Sequence, residues 1–121
     1  MEKKVYDLKK RTYLYALDII KFLDGFSHNY VSQTIGKQLL RSATSVGANI
    51  AEAQAASSKK DFINFYNYSL KSANESKFWL HLIKDSGKAP IDKIEHILNE
   101  TKELSNILAA SIVTMKRKRE F

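Results

Sequence analysis

The chain of 121 residues contains no cysteine, one proline and four glycines. The absence of cysteine excludes disulfides, thiolate metal ligands and a cysteine nucleophile, and it fits a reducing compartment. The N-terminal segment has charges on both sides of its apolar residues and no signal-peptide cleavage pattern, and it does not read as a membrane span. We therefore expect a cytoplasmic protein that folds as a single domain over residues 1–121.

Helical periodicity predicts four helices, over residues 7–24, 31–56, 58–86 and 91–118. Gly25 and Gly87 are expected to end the first and third helices, Ser58 is a good N-cap for the third, and Pro90 prevents that helix from continuing. Nothing reads as a strand. Because short connections make consecutive helices antiparallel, the sequence predicts an all-α, up-down-up-down four-helix bundle.

Apolar residues at helical spacing predict the core. The expected core positions are Leu14, Leu17, Ile20 and Phe22 or Leu23 in the first helix; Ile35, Leu39, Ala43, Val46, Ile50 and Ala53 in the second; Phe62, Tyr66, Ser69, Ala73, Ser76, Leu80 and Ile83 in the third; and Ile91, Ile94, Leu98, Thr101, Leu108, Ile112 and Met115 in the fourth. The small residues at the centre of the third helix predict a close approach to a neighbouring helix.

The sequence RSATSVGANIAE gives the second helix a further, polar face. Arg41, Ser45, Asn49 and Glu52 recur every three or four positions and form a polar ladder beside the apolar face. A catalytic role is disfavoured because arginine does not titrate usefully and no histidine or second acid is placed nearby. Of the two other interpretations, a ligand site and a structural hydrogen-bond network, we favour the network, with Glu75 as the candidate partner of Arg41.

The third helix carries a second stripe beside its core positions, formed by Phe65, Ser72, Glu75, Trp79 and Leu82. A monomeric four-helix bundle needs only one apolar face on each helix, so this stripe predicts oligomerisation.

The positive charge is concentrated at the predicted helix ends. The chain has 20 Lys and Arg against 13 Asp and Glu, a net charge of +7. The antiparallel topology brings to one end of the bundle Lys3, Lys4, Lys9, Lys10, Arg11, Lys59, Lys60, Lys116, Arg117, Lys118 and Arg119. The last nine of these are our candidate nucleic-acid-binding residues, because each neutralised phosphate releases a counterion. The alternative is that the cations solvate helix ends and complement the dipole of the last helix.

Catalytic and metal chemistry is poorly supported. His28, His81 and His96 have no ligand-like spacing, and no phosphate loop, nucleophile elbow or paired acid motif occurs. We predict no catalytic residue, no cofactor and no metal site.

The ladder sequence RSATSVGANIAE, followed by Phe62, Phe65 and Glu75, resembles the bacterial four-helix-bundle family encoded in 23S rRNA intervening sequences. This family includes the accessory variability determinant of diversity-generating retroelements. The resemblance implies a homopentameric barrel that offers a basic surface to nucleic acid and, in the retroelement members, a reverse transcriptase as partner. Ala53 departs from the glycine usual in the family at that position.

Together, these features predict a non-enzymatic oligomer that binds the backbone of RNA or DNA and does not act on membranes. The alternative is a structural adaptor in which the polar ladder and the second stripe of the third helix serve only contacts with other subunits or with a partner protein. The two hypotheses differ over the role of the basic end.

Overall fold

The computed structural model describes residues 7–119, apart from the side chain of Arg119. It contains the helices α1 (Leu8–Asp24), α2 (Tyr30–Gln54), α3 (Lys59–Asp85) and α4 (Ile91–Arg119), and no strand among the described residues. Each bound lies within two residues of its predicted position. The all-α prediction is confirmed.

Local chemistry sets these bounds. The side chains of Asn29 and Ser58 each accept a hydrogen bond from a backbone N–H three residues further on, at 2.8 and 3.1 Å, and so cap α2 and α3. Gly87 ends α3 with a φ of 68°, and the N–H of Lys88 donates to the carbonyl of Ile83 at 3.1 Å. This is the Schellman arrangement, in which glycine adopts the left-handed conformation without strain.

Contacts between helices confirm the antiparallel order. Arg41 and Ser42 of α2 contact Glu75 and Ser76 of α3, whereas Val46, further along α2, contacts Ser69, earlier in α3. The α2–α3 interface is the most extensive in the bundle, and the α1–α4 interface is the smallest of the four that join neighbouring helices.

Most of the predicted core is buried, and Phe22 and Leu23 of α1 pack against it as predicted, but the predicted positions Leu14 and Ile20 are wrong. Leu14 and Ile20 are exposed, and the face of α1 that enters the core consists of Leu8, Thr12, Tyr15 and Ile19. Both series fit a helical period, so periodicity alone could not separate them. Tyr15 belongs to the buried face because α4 supplies a partner for its hydroxyl group.

A smaller correction concerns the start of α3. Ile63 is buried there, whereas Phe62 and Tyr66, which stack on each other at 4.9 Å between ring centroids, are only half-buried. In α4, Ile91 is exposed and the buried series begins at Ile94. At the start of α3 the core position is therefore shifted by one residue, from Phe62 to Ile63, whereas at the start of α4 the exposed Ile91 precedes the part of the helix that is buried.

The core contains hydroxyl groups with partners. Tyr15 Oη lies 2.7 Å from Thr101 Oγ1, Ser42 Oγ lies 2.8 Å from Ser76 Oγ, and Ser69 Oγ donates to a carbonyl of α2 at 2.8 Å. The last two contacts confirm the predicted close approach at the centre of α3. Burial raises the pKa of Tyr15 to about 12, although hydrogen bonds with Thr101 and Ser76 act in the opposite direction.

Candidate nucleic-acid interface

The basic end of the molecule is formed by the first turn of α1, the first turn of α3 and the last turn of α4. Of the cations with described side chains there, seven are exposed: Lys9, Lys10, Lys59, Lys60, Lys116, Arg117 and Lys118. None of these seven forms an ion pair within residues 7–119. These seven members of the predicted set therefore lie at one end with their charged groups available. Arg11 is the exception, because it is ion-paired. Lys3, Lys4 and the side chain of Arg119 lie outside the described residues.

These cations are spread along the axis of the bundle. Tyr15 contacts Thr101, so the two residues mark one level. Lys10 lies five residues from this level in α1 and Lys116 lies fifteen from it in α4, both towards the basic end. At 1.5 Å per residue, Lys116 stands about 15 Å beyond Lys10. We call the outer group of Lys59, Lys60 and residues 116–118 the basic tip.

Charge is distributed unevenly between the two ends. The basic end contains seven exposed cations and three carboxylates, whereas residues 18–37 and 80–96 at the opposite end contain five cations and five carboxylates. The carboxylates of the basic end are Asp7, Glu52 and Asp61. The excess positive charge of the bundle is thus concentrated at the basic end, and the opposite end is balanced.

Arg11 is engaged elsewhere. Its Nε donates to Glu100 Oε2 at 2.8 Å and its Nη2 to Glu100 Oε1 at 2.9 Å, and Nη2 also pairs with Glu103. Hydrogen bonds with Glu100 hold the pKa of Arg11 above its ordinary value, against its partial burial. The side chain is only 16% exposed. The guanidinium group therefore joins α1 to α4. Its Nε and Nη2 donors are occupied by two carboxylates, which would repel a phosphate group, so Arg11 does not belong to the candidate phosphate-binding set.

The polar ladder lies at the surface of the α2–α3 pair. Arg41 forms an ion pair with Glu75, as predicted, but its side chain is 58% exposed. Ser45 Oγ donates to the carbonyl of Arg41 and Asn49 Nδ2 to that of Ser45, at 2.8 and 2.9 Å, so both are satisfied within α2. Glu52 is exposed. Within the described residues of one chain, Arg41 is the only ladder residue whose side chain contacts another helix, and a network that extends to other subunits stays a prediction.

The second stripe of α3 continues this surface. Trp79 Nε1 donates to Glu75 Oε2 at 2.9 Å, so one carboxylate holds both Trp79 and Arg41. Phe78 packs edge-on against Trp79 and is exposed. Tyr68, earlier in α3, is exposed as well. The described helices therefore leave an aromatic surface with an ion-paired arginine beside it.

Within residues 7–119 no group of three or more histidine and acidic side chains is arranged to hold a metal ion. His28, His81 and His96 are all exposed. No helix in the same residues is both long and apolar enough to cross a membrane.

Comparison with known families places the chain. The model of the family described as 23S rRNA-intervening sequence protein matches residues 4–110. The chain belongs to this family. The match includes all of α1, α2 and α3 and most of α4, and it confirms the resemblance seen in RSATSVGANIAE.

A solved relative has the same fold. The crystal structure of a protein of unknown function from the S23 ribosomal protein family of Bacteroides thetaiotaomicron superposes with a TM-score of 0.83 at 35% sequence identity. The similarity covers 90% of this chain and 97% of that one. No curated protein matches the chain closely enough to count as a relative.

Sequence reasoning missed two features of this member of the 23S rRNA-intervening sequence protein family. Glu100 and Glu103, three residues apart on α4, were not recognised as partners of Arg11. The available signal was that both acids lie beside the core position Thr101, because side chains next to a core position lie close to a neighbouring helix. The hydrogen bond between Trp79 and Glu75 was also missed, although a spacing of four residues places both on one face of a helix.

Proposed function

We propose that this member of the 23S rRNA-intervening sequence protein family is a non-enzymatic oligomer that binds the phosphate backbone of RNA or DNA through its basic end. The observation that carries the proposal is the charge distribution, with seven exposed, unpaired cations at one end and a balanced opposite end. Backbone contacts carry no sequence information, so binding is expected to depend strongly on salt and weakly on sequence.

The helix dipole does not explain this distribution. A positive charge is favourable at the C-terminal end of a helix and unfavourable at the N-terminal end. The dipole therefore accounts for residues 116–118 at the end of α4. Lys9 and Lys10 lie in the first turns of α1, and Lys59 and Lys60 begin α3, where the dipole opposes them. Four cations held at unfavourable positions support a role for the charge itself.

Oligomerisation is part of the proposal. The aromatic surface of α3 around Phe78 and Trp79, with Arg41 beside it, supports a subunit contact, and the resemblance suggests a homopentamer. Five copies of a basic end would bind one polyanion through many weak contacts at once. Light scattering tests this part directly, and a mass near 13.8 kDa at micromolar concentration would contradict it.

A second candidate is an adaptor that binds a partner protein without touching nucleic acid. The same exposed aromatic surface favours it, because aromatic residues and arginine are enriched at protein–protein contacts. A reverse transcriptase as that partner is supported by the resemblance alone.

The two candidates are separated by two variants that remove the same charge. One replaces Lys59, Lys60, Lys116 and Lys118 by Ala at the basic tip, and the control replaces Lys21, Lys37, Lys88 and Lys93 by Ala at the opposite end. Binding to duplex DNA and to RNA is measured by fluorescence anisotropy over a range of salt concentrations.

If the basic tip binds phosphates, its variant binds more weakly, and the salt slope decreases by about one for each phosphate that is no longer neutralised. The control variant keeps most of the affinity and the slope of the parent. Equal decreases in both variants would mean that only the overall charge matters. A parent chain that binds neither nucleic acid at low salt would favour the adaptor.

A further inference from the structure

A groove of about 580 Å³ runs between α1 and α2 on the side of the basic end. Its α2 wall is built of small residues, Thr44, Gly47, Ala48 and Ala51. Its α1 wall is formed by Asp7, Lys9, Lys10, Thr12, Tyr13 and Ala16. The volume lies within the range of about 300–1,000 Å³ that small-molecule sites occupy.

The groove combines three chemical elements. Tyr13 is 64% exposed and stacks on no other aromatic ring of the described residues. Lys9 and Lys10 are exposed and form no ion pair in the described part of the chain. Opposite them, the α2 wall has no long side chains. An aromatic ring beside ammonium groups is the combination that holds single-stranded nucleic acid, with the ring stacking on a base and the cations following the backbone.

We propose that this groove binds an unpaired nucleotide of a single strand. The base lies between the ring of Tyr13 and the wall of Ala48 and Ala51, and the adjoining phosphate is neutralised by Lys9 or Lys10. Asp7 repels phosphate, which places the backbone on the lysine side of the groove. This inference rests on the proposed function, and it adds a preference for single strands, because the bases of a duplex are stacked inside it and cannot enter.

Charge favours this occupant over a second copy of the chain. The groove opens at the basic end, and every copy of the protein carries a net charge of +7. Two copies that met at this surface would bring like charges together, whereas a polynucleotide carries a negative charge on each phosphate.

The test compares two forms of one RNA of mixed sequence, a single strand of about 12 nucleotides, within the site sizes of single-strand binders, and its duplex. Binding of the full chain is measured by fluorescence anisotropy at one salt concentration. Tyr13→Ala removes the ring, Tyr13→Phe keeps it, and Ala48→Leu fills the groove from an exposed position. The control is Tyr30→Ala, at the opposite end, where the tyrosine is 83% exposed.

We expect the parent to prefer the single strand. Tyr13→Ala should weaken single-strand binding roughly 5- to 150-fold, the range for loss of one stacked base. Ala48→Leu should also weaken it, while Tyr13→Phe, Tyr30→Ala and all duplex affinities should stay close to the parent values.

Three results would overturn the inference. If the parent binds both forms equally and Tyr13→Ala behaves like the parent, the groove is not used, although the basic tip could still bind backbone as proposed. If the parent binds neither form, the proposed function fails and this inference fails with it. If Tyr13→Ala or Ala48→Leu lowers the mass in light scattering but leaves single-strand affinity unchanged, the groove holds a second copy of the chain.

Discussion

Arg11 and Lys10 are neighbouring cations on α1 to which the structure gives different roles. Lys10 is exposed and has no ion pair within the described residues, whereas Arg11 forms two hydrogen bonds with Glu100 and a further pair with Glu103. Replacing each by Met removes one positive charge and keeps an unbranched apolar stem, so the two variants differ mainly in the partners that are left behind. We expect Arg11→Met to lose stability and Lys10→Met to lose affinity for nucleic acid.

The magnitude follows from the burial of the pair. Exposed ion pairs contribute about 0–1 kcal/mol, and breaking a buried one costs about 3–5 kcal/mol. Arg11 and Glu100 are 16% and 29% exposed, between these limits, and their contact is bidentate. Arg11→Met should therefore lower the free energy of unfolding by about 2 kcal/mol, which corresponds to a decrease in Tm of roughly 6–10 °C for a domain of this size. Lys10→Met should change it by less than about 0.5 kcal/mol.

Thermal denaturation followed by circular dichroism measures the first effect, at one protein concentration because assembly shifts Tm. Combining Arg11→Met with Glu100→Gln should recover part of the stability, since Glu100 is then no longer an unpaired carboxylate. The assignment would be refuted if Arg11→Met kept the Tm of the parent and flattened the salt slope of nucleic-acid binding more than Lys10→Met. That result would make Arg11 a phosphate contact.

Two further predictions concern the core. In chemical denaturation, the Gly47→Ala variant should be less stable than the Gly36→Ala variant by about 1 kcal/mol. A Cβ atom at Gly47 would lie 3.3 Å from the carbonyl oxygen of Thr12, whereas a Cβ atom at Gly36 would meet only side chains, at 3.4 Å or more, and the helix would gain the propensity of alanine. Equal effects at both sites would contradict the close approach of α1 and α2. Tyr15, with its pKa raised to about 12, should contribute stability that is complete below pH 10 and is lost as the pH rises towards 12, because the unfolded chain releases that proton first. Tyr15→Phe should lose about 1 kcal/mol at neutral pH and show a shallower decline in Tm between pH 9 and about 11, and an unchanged decline would show that this hydroxyl is not buried.

The fold could be predicted because two of the four helices, α2 and α4, have one dominant apolar series and α3 has a regular one. In α2 and α4 the series through Leu39, Val46, Leu98 and Leu108 has no competitor of similar size. The first helix has apolar residues on two sides, and side-chain type could not decide between them. What decides is a contact with a distant residue, since Tyr15 is buried only where Thr101 meets its hydroxyl. Such a contact has no signal within α1.

The candidate site was predictable in composition but not in pairing. The topology alone assigned Lys9, Lys59 and Lys116 to one end, because antiparallel helices bring alternate ends together. The separation of Arg11 from that group depends on which face of α1 turns towards α4, and this was the face assigned wrongly. Arg41 and Glu75 were paired correctly, since both lie at the middle of adjacent helices, but their exposure depends on side-chain direction.

Helix length gives the basic end its shape. From its start at Leu8, α1 has 17 residues and is about 25 Å long, whereas α4 has 29 residues and is about 43 Å long. Their other ends lie near the same level, so α4 extends past the start of α1, and the basic tip stands about 15 Å beyond Lys10 in the wall of the groove. Four or five stacked nucleotides cover this distance at about 3.4 Å each. If the tip and the groove act on one strand, a shorter oligonucleotide reaches only one of them, and the strong affinity belongs to strands that cross both.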